Sequence, residues 1–240
     1  MSDKYNQNLK KLGILGGMGP KATSIMFDWI VDMTDVKVDQ DHIPMMILND
    51  PQIPDRTQSI LYGDAETVYA KMLSDIRLLK DAGCTHLAIP CNTSHFFADR
   101  FAADTGMEVL HMPRIAAREA KERGMQKAAI LATDGTIRTG VYHKELEAVG
   151  ITPWTPAEDV QKVVMDLIYE EIKQGGHGKV ETFDVIDRAV KAAGCDGAIL
   201  GCTELSVYSR YHELSGFYID AMLLLCRDSI LAMGRNVRKD

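Results

Sequence analysis

Apolar residues in this chain fall into two patterns, short continuous runs and longer segments with a four-residue repeat. The short runs predict buried strands over residues 11–15, 44–49, 87–90, 109–112, 127–131, 151–154, 198–200 and 217–219. Between them the apolar positions recur about every fourth residue, as at Ile25, Trp29 and Met33, which is typical of a helix with one buried face. Strands that alternate with helices indicate a parallel sheet, so the pattern predicts an α/β fold.

The same pattern places the helices and one long loop. Helices are predicted from Pro20 onward and over about 65–82, 94–105, 115–123, 142–149, 160–172, 180–193 and 221–233. Residues 50 to about 64 contain Pro51 and Pro54 among polar side chains, and we predict a partly stiff loop there.

Part of the sequence occurs twice. Residues 82–93 align without a gap with residues 193–204, and each copy has an Ala-Gly helix end, a short apolar strand and a final cysteine. Residues 126–133 likewise resemble residues 10–17. The repeat predicts a duplicated fold of two α/β lobes, each with about four strands, over 10–113 and 114–213. The C-terminal segment 214–240 is expected to return to the first lobe.

Cys91 and Cys202 end the two repeated strands, where ligands bind in parallel α/β sheets. A helix is expected to start after each, and its free N–H groups would stabilise a thiolate. Cys84, Cys195 and Cys226 instead suit the apolar core. Two thiols facing each other across one cleft suit proton transfer at a carbon atom from opposite faces. A redox disulfide is the competing interpretation, but the neighbouring Thr and Asn residues favour a ligand.

Two other features admit more than one interpretation. Residues 17–22 fit the dinucleotide pattern G-x-G-x-x-A, which keeps an NAD(P)-dependent oxidoreductase open. Pro20 removes one N–H from that turn, and this favours a tight turn beside a small ligand instead.

His95 lies four residues after Cys91 and could tune the reactivity of its thiol, although a solvated or hydrogen-bonded structural role is favoured. A zinc site at Cys91 and His95 lacks further ligands, so no metal is predicted.

Composition excludes several classes of protein. Apolar residues at 46% and charged residues at 25% are ordinary for a soluble globular protein, and the net charge of −7 argues against nucleic acid as a partner. The polar residues 1–8 lack the apolar core of a signal peptide, and no apolar run approaches the ~20 residues of a membrane helix. An odd number of scattered cysteines, 5, predicts a reducing cytoplasm.

The chain resembles the aspartate/glutamate racemase family, and its aspartate racemase branch, over nearly its whole length. The resemblance rests on residues 12–20, 49–57, 90–93 and 201–204. It implies a cofactor-independent amino-acid racemase, often a homodimer, with two pseudo-twofold-related lobes and an active site in the cleft between them. Cys91 and Cys202 match the two acid/base cysteines of the family.

The resemblance also implies a set of substrate contacts. The positions around the substrate α-amino and α-carboxylate groups are matched by Asn92, Thr93, Thr133 and Thr203, some of which also suit helix caps. Arg56 and Lys173, otherwise ordinary surface charges, match the cations that hold a side-chain carboxylate. Met18 belongs to the turn beside the ligand. Glu204 could receive the substrate amino group or cap its own helix, and the cap is favoured.

These positions predict racemisation of an acidic amino acid, with aspartate ahead of glutamate. Ala132 and Asp134 depart from residues common in relatives, which leaves the surroundings of Thr133 open. The alternatives are the oxidoreductase, a broad-specificity amino-acid racemase, and a protein that binds amino acids without catalysis.

Overall fold

The computed structural model describes residues 10–239, so the prediction made for residues 1–8 lies outside it. Within this range the chain forms two four-stranded parallel sheets flanked by helices. The first sheet contains β1 (Leu12–Gly16), β2 (Met45–Asn49), β3 (His86–Ala88) and β4 (Glu108–Val109). The second contains β5 (Lys127–Leu131), β6 (Thr152–Trp154), β7 (Gly197–Leu200) and β8 (Tyr218–Asp220).

The two sheets have equivalent topologies. Their strand orders are β2-β1-β3-β4 and β6-β5-β7-β8, so the first two strands of each lobe exchange places in the same way. The central strands are fully buried, as expected where helices cover both faces of a parallel sheet. The predicted α/β fold with two four-stranded sheets is confirmed.

Eleven α-helices occur within the described residues. They are α1 (Pro20–Met33), α2 (Arg56–Tyr62), α3 (Ala65–Asp81), α4 (Ala98–Thr105), α5 (Met112–Glu122), α6 (Asp134–Thr139), α7 (Val141–Ala148), α8 (Glu158–Asp166), α9 (Val180–Ala192), α10 (Thr203–Tyr211) and α11 (Ala221–Ala232). Short 3-10 helices cover Asp39–Asp41 and Thr93–Phe97, and a π-helical turn, Leu167–Ile172, continues α8. Within residues 10–239, every helix is too short or too polar to span a membrane.

The predicted loop over residues 50–64 is wrong in its second half, which forms α2. Pro54 favours extended backbone in the residue before it. The helix therefore begins only after Asp55, whose side chain accepts the N–H of Gln58 at 2.8 Å. The six-residue α6 was also missed, because it is too short to show a helical repeat. Thr133 caps α6 by accepting the N–H of Thr136. Both short helices carry residues of the site described below.

The C-terminal segment contributes to two parts of the molecule. β8 pairs with β7 in the second sheet, whereas α11 packs against α1 and α5. The thiol of Cys226 on α11 contacts the carbonyl of Met26 on α1 at 3.7 Å, and it is buried like Cys84 and Cys195. The division into lobes at residues 113 and 114, and the return of residues 214–240 to the first lobe, stay predictions.

Candidate active site

One small cavity is lined by all ten residues that the sequence singled out. Its walls come from the turn after β1, the start of α2, the segment after β3, the start of α6, the end of the π-helical turn and the start of α10. The lining residues are Met18, Asp55, Arg56, Thr57, Cys91, Asn92, Thr93, Thr133, Tyr169, Lys173, Cys202, Thr203 and Glu204. Asp55, Thr57 and Tyr169 were not predicted as site residues.

Both cysteines of the repeat reach this cavity as free, buried thiols. Cys91 follows the end of β3, and Cys202 is the residue just before α10. Burial raises the pKa of Cys202 well above its ordinary value, and the carboxylate of Glu204 raises it further. The backbone N–H of Glu204 lowers the pKa of Cys202, as expected at a helix start, but this effect is smaller than the two that raise it. Burial and Glu204 thus outweigh, at Cys202, the stabilisation of a thiolate that the helix start was expected to provide.

Glu204 contacts the second cysteine directly. The Cys202 thiol donates a hydrogen bond to Glu204 Oε2 at 2.9 Å, and the Thr203 hydroxyl donates to the same oxygen at 3.3 Å. The other carboxylate oxygen lies 4.0 Å from Lys173 Nζ. The carboxylate thus points into the cavity, and the prediction that it caps α10 is wrong.

Arg56 is buried, and it binds backbone on two sides. Its Nη1 donates to the carbonyls of Ile53 and Pro54 at 3.2 and 3.0 Å, and its Nη2 donates to the Met18 carbonyl at 3.2 Å. Its Nε is buried and has no partner among the described residues. Burial opposes the charged form, yet the nearby side chains of Cys91, Asp55 and Glu204 raise the pKa of Arg56. Arg56 is therefore a buried cation in the cavity lining, and one of its N–H groups has no partner among the described residues.

Lys173 supplies a second cation at the cavity wall. Its Nζ lies 3.8 Å from Asp55 Oδ2 and 4.3 Å from the centre of the Tyr169 ring. Burial would lower the pKa of Lys173, but Glu204 and the other nearby anions raise it, so the ammonium is charged. The two cations of the lining are therefore matched by two carboxylates, Asp55 and Glu204.

Four threonines join the two lobes beside the cysteines. Thr93 lies 2.7 Å from Thr136 and 3.3 Å from Thr133, and Thr57 donates to Thr133 at 3.0 Å, all between hydroxyl oxygens. Gly135 permits this contact, because a Cβ there would lie 2.6 Å from the Cα of Thr57. Thr57 and Thr136 lie on the two helices that were missed, and no periodic signal marks them.

Asn92 belongs to the cavity lining and has a side-chain donor without a partner among the described residues. Its Oδ1 accepts the Tyr142 hydroxyl at 2.5 Å, and its Nδ2 is buried without a partner among the described residues. Its side chain does not cap the following 3-10 helix. An unpaired buried amide costs about 1–3 kcal/mol, so a ligand that accepts its N–H would recover this energy.

His95 is a buried residue with two backbone contacts. Its Nδ1 lies 3.0 Å from the Cys91 carbonyl oxygen, and its Nε2 lies 3.3 Å from that of Leu110. Burial, with a smaller effect of the neighbouring His111, lowers the pKa of His95 to about 3. The imidazole is therefore neutral, in keeping with a structural, hydrogen-bonded role.

The glycine turn after β1 lies beside a second, larger cavity. Gly17 has φ +96°, and a Cβ there would lie 2.3 Å from the backbone of Asp50, so glycine is required sterically. The larger cavity has a volume of about 620 Å³, against about 20 Å³ between the cysteines. The two share Met18, Asp55, Arg56, Lys173 and Glu204. The inner space is about large enough for one water molecule.

Comparison with known proteins agrees with this architecture. The family model described as Asp/Glu/Hydantoin racemase matches residues 15–226. The structure is similar to Picrophilus torridus aspartate racemase, with a TM-score of 0.80 and 27% identity over 95% of this chain and 96% of that one. It is also similar to a putative Asp/Glu racemase from Yersinia pestis, with a TM-score of 0.75 and 28% identity over 90% and 96% of the two chains.

A curated relative matches over a shorter region. The broad specificity amino-acid racemase RacX of Bacillus subtilis is 29% identical over 143 residues, which are 58% of this chain. The match spans 61% of RacX, less than two thirds of its length.

Proposed function

Because the chain belongs to the Asp/Glu/hydantoin racemase family, we propose that it racemises an acidic amino acid, aspartate ahead of glutamate, by proton transfer between Cys91 and Cys202. The observation that carries the proposal is that both thiols line one small buried cavity, next to free hydrogen-bond donors. No cofactor takes part in the proposed reaction.

The proposed chemistry needs one base and one acid on opposite faces of the substrate. One cysteine, as thiolate, removes the proton from Cα, and the thiol of the other delivers a proton to the opposite face. The negative charge that develops next to the substrate carboxylate requires donors that are already in place. The amide of Asn92 and the hydroxyls around Thr133 supply uncharged donors at this point.

The preference for an acidic side chain rests on Arg56 and Lys173. The Nε of Arg56 is a buried donor without a partner, and a carboxylate is its natural acceptor. A charge-assisted hydrogen bond of this kind contributes roughly 1.5–3 kcal/mol, enough to favour a dicarboxylate about ten- to a hundredfold over alanine. Lys173 adds a second positive charge beside the same wall.

A broad-specificity amino-acid racemase is the second candidate, and the charge balance of the cavity favours it. Asp55 and Glu204 offset the charges of Arg56 and Lys173, so the wall is not strongly positive. The larger outer cavity, about 620 Å³, offers room for a long side chain beyond these residues. The relative named RacX is described as having broad specificity.

Proton NMR in deuterated water separates these candidates. The protein is incubated with each enantiomer of aspartate, glutamate, alanine, asparagine and lysine, and loss of the α-proton signal is followed. Fast loss from aspartate supports the first candidate, and comparable loss from all five supports the second. Ligand binding without loss from any of them would refute both in favour of a binding protein.

A further inference from the structure

The two halves of the site differ at one repeated position. When residues 91–93 are aligned with residues 202–204, Thr93 occupies the place of Glu204. The Thr93 hydroxyl bonds the neutral hydroxyl of Thr136 at 2.7 Å, whereas Glu204 accepts the thiol of Cys202 at 2.9 Å. A carboxylate therefore contacts only the second of the two cysteines among the described hydrogen bonds.

From this asymmetry we propose that Glu204 is a positioning residue that holds Cys202 in its thiol form, so that Cys202 is the proton donor of the resting site. A two-base racemase works only when the cysteine pair carries a single proton, because two thiolates leave no acid and two thiols leave no base. The inference rests on the proposed function, and it states which of the two cysteines carries that proton.

The groups that face Cys202 support this assignment. Glu204 and Thr203 belong to α10. Tyr169 lies in the π-helical turn, and Lys173 directly follows it. Tyr142 belongs to α7. Burial raises the pKa of both tyrosines, which stay neutral. Lys173 is the one cation in this group, and its Nζ lies 4.0 Å from Glu204 Oε1.

The charges of Lys173 and Glu204 largely offset each other, and burial then disfavours a third charge on the sulfur. The surroundings of Cys91 differ, because the buried cation Arg56 lines the same cavity and no carboxylate accepts the Cys91 thiol among the described hydrogen bonds. The resting enzyme is thus prepared for the direction of reaction in which Cys202 is the proton donor. When Cys202 donates its proton, the S–H bond breaks, a C–H bond forms, and the new thiolate is left beside Glu204 and Lys173. The site with a thiolate at Cys202 is less stable than the resting site, and this difference favours return of a proton to Cys202.

Replacing Glu204 by Gln tests the inference without relying on catalysis. Glutamine keeps the shape of the side chain and removes its charge, so Cys202 should ionise at lower pH. Alkylation by iodoacetamide, followed by mass spectrometry of the peptide that carries Cys202, should become about tenfold faster near neutral pH. The Cys91 peptide from the same sample serves as the internal reference.

Asp55→Asn is the matched control. Asp55 lies 3.8 Å from Lys173 Nζ, about as close as Glu204, but it does not bond to Cys202. Asparagine still caps α2, so the fold is retained. Alkylation of Cys202 should be unchanged in this variant, and also in Glu204→Asp, which keeps the charge. Equal rates in wild type and Glu204→Gln, or equal acceleration in Asp55→Asn, would overturn the inference.

Racemisation kinetics provide a second readout. At high pH the racemisation rate falls because Cys202 loses the proton that it donates. This fall should begin at lower pH in Glu204→Gln than in wild type, while KM stays close to that of wild type. If Glu204 instead received the substrate amino group, KM would rise and the pH profile would keep its position. If the wild type exchanged no α-proton at all, the proposed function would fail, and the alkylation comparison would still decide the role of Glu204.

Discussion

At the scale of single residues, the two cysteines share a location but not an environment. We expect Cys91→Ser and Cys202→Ser each to abolish racemisation and to leave the circular dichroism spectrum unchanged, because serine does not supply an anionic base near neutral pH. A thiol supplies an anionic base far more readily, because its ordinary pKa is about 8.5.

Each of these serine variants should also keep exchange of the α-proton for at most one enantiomer, since one face of the substrate still has its base. Wild-type rates of racemisation in both variants would show that the cysteines have been assigned wrongly.

Arg56 decides the proposed preference for an acidic substrate. In Arg56→Ala the ratio of kcat/KM for aspartate to that for alanine should fall about ten- to a hundredfold, because the carboxylate loses a charge-assisted donor. Arg56→Lys is the control, since it keeps the charge but cannot reproduce the planar donors. A ratio that is the same in wild type and Arg56→Ala would leave a racemase but refute this specificity.

His95 should make stability depend on pH. Its folded pKa of about 3 lies below the ordinary value of 6.5, so the unfolded chain binds more protons between these values. The contribution of His95 is therefore complete above pH 6.5 and declines as the pH falls, by up to about 1.4 kcal/mol per pH unit.

Urea unfolding at pH 7 and pH 5 measures this effect. The difference in unfolding free energy between the two pH values should be smaller in His95→Gln than in wild type. The same difference in both proteins would contradict the prediction.

At the scale of secondary-structure elements, α2 and α6 are short helices whose close contact shapes the cavity. Gly135 on α6 faces Thr57 on α2. In Gly135→Ala the new Cβ would lie 2.6 Å from the Thr57 Cα, so the backbones must separate at a cost of about 1–3 kcal/mol.

Chemical denaturation should detect the lower unfolding free energy of Gly135→Ala. Gly216→Ala is the matched control, because a Cβ at Gly216 meets no atom within 4 Å. Equal stability of the two variants would show that the contact between α2 and α6 is not tight.

At the scale of the whole molecule, the resemblance implies a homodimer, and this stays a prediction, as does the cytoplasmic location. Light scattering of the purified protein should give twice the mass of one chain across a dilution series. A mass equal to one chain at every concentration would refute the dimer.

Local patterns along the chain were enough to predict the repeated elements and the family. Buried strands and long amphipathic helices follow from local patterns of apolar residues, and the repeated cysteine segments fixed equivalent places in two sheets. The recognition of the racemase family, made from four short motifs, is confirmed by the match over residues 15–226. These conclusions need only the order of residues along the chain.

Which side chains meet depends on how the distant parts of the chain pack together. The neighbours of Glu204 in sequence predict a helix cap, whereas its carboxylate contacts Cys202 and Lys173 in the folded chain. Thr57 and Thr136 came from helices too short to leave a periodic pattern, and they meet because Gly135 allows two backbones to touch. Burial is also a property of the fold: it raises the pKa of Cys202, which its position at a helix start would otherwise lower.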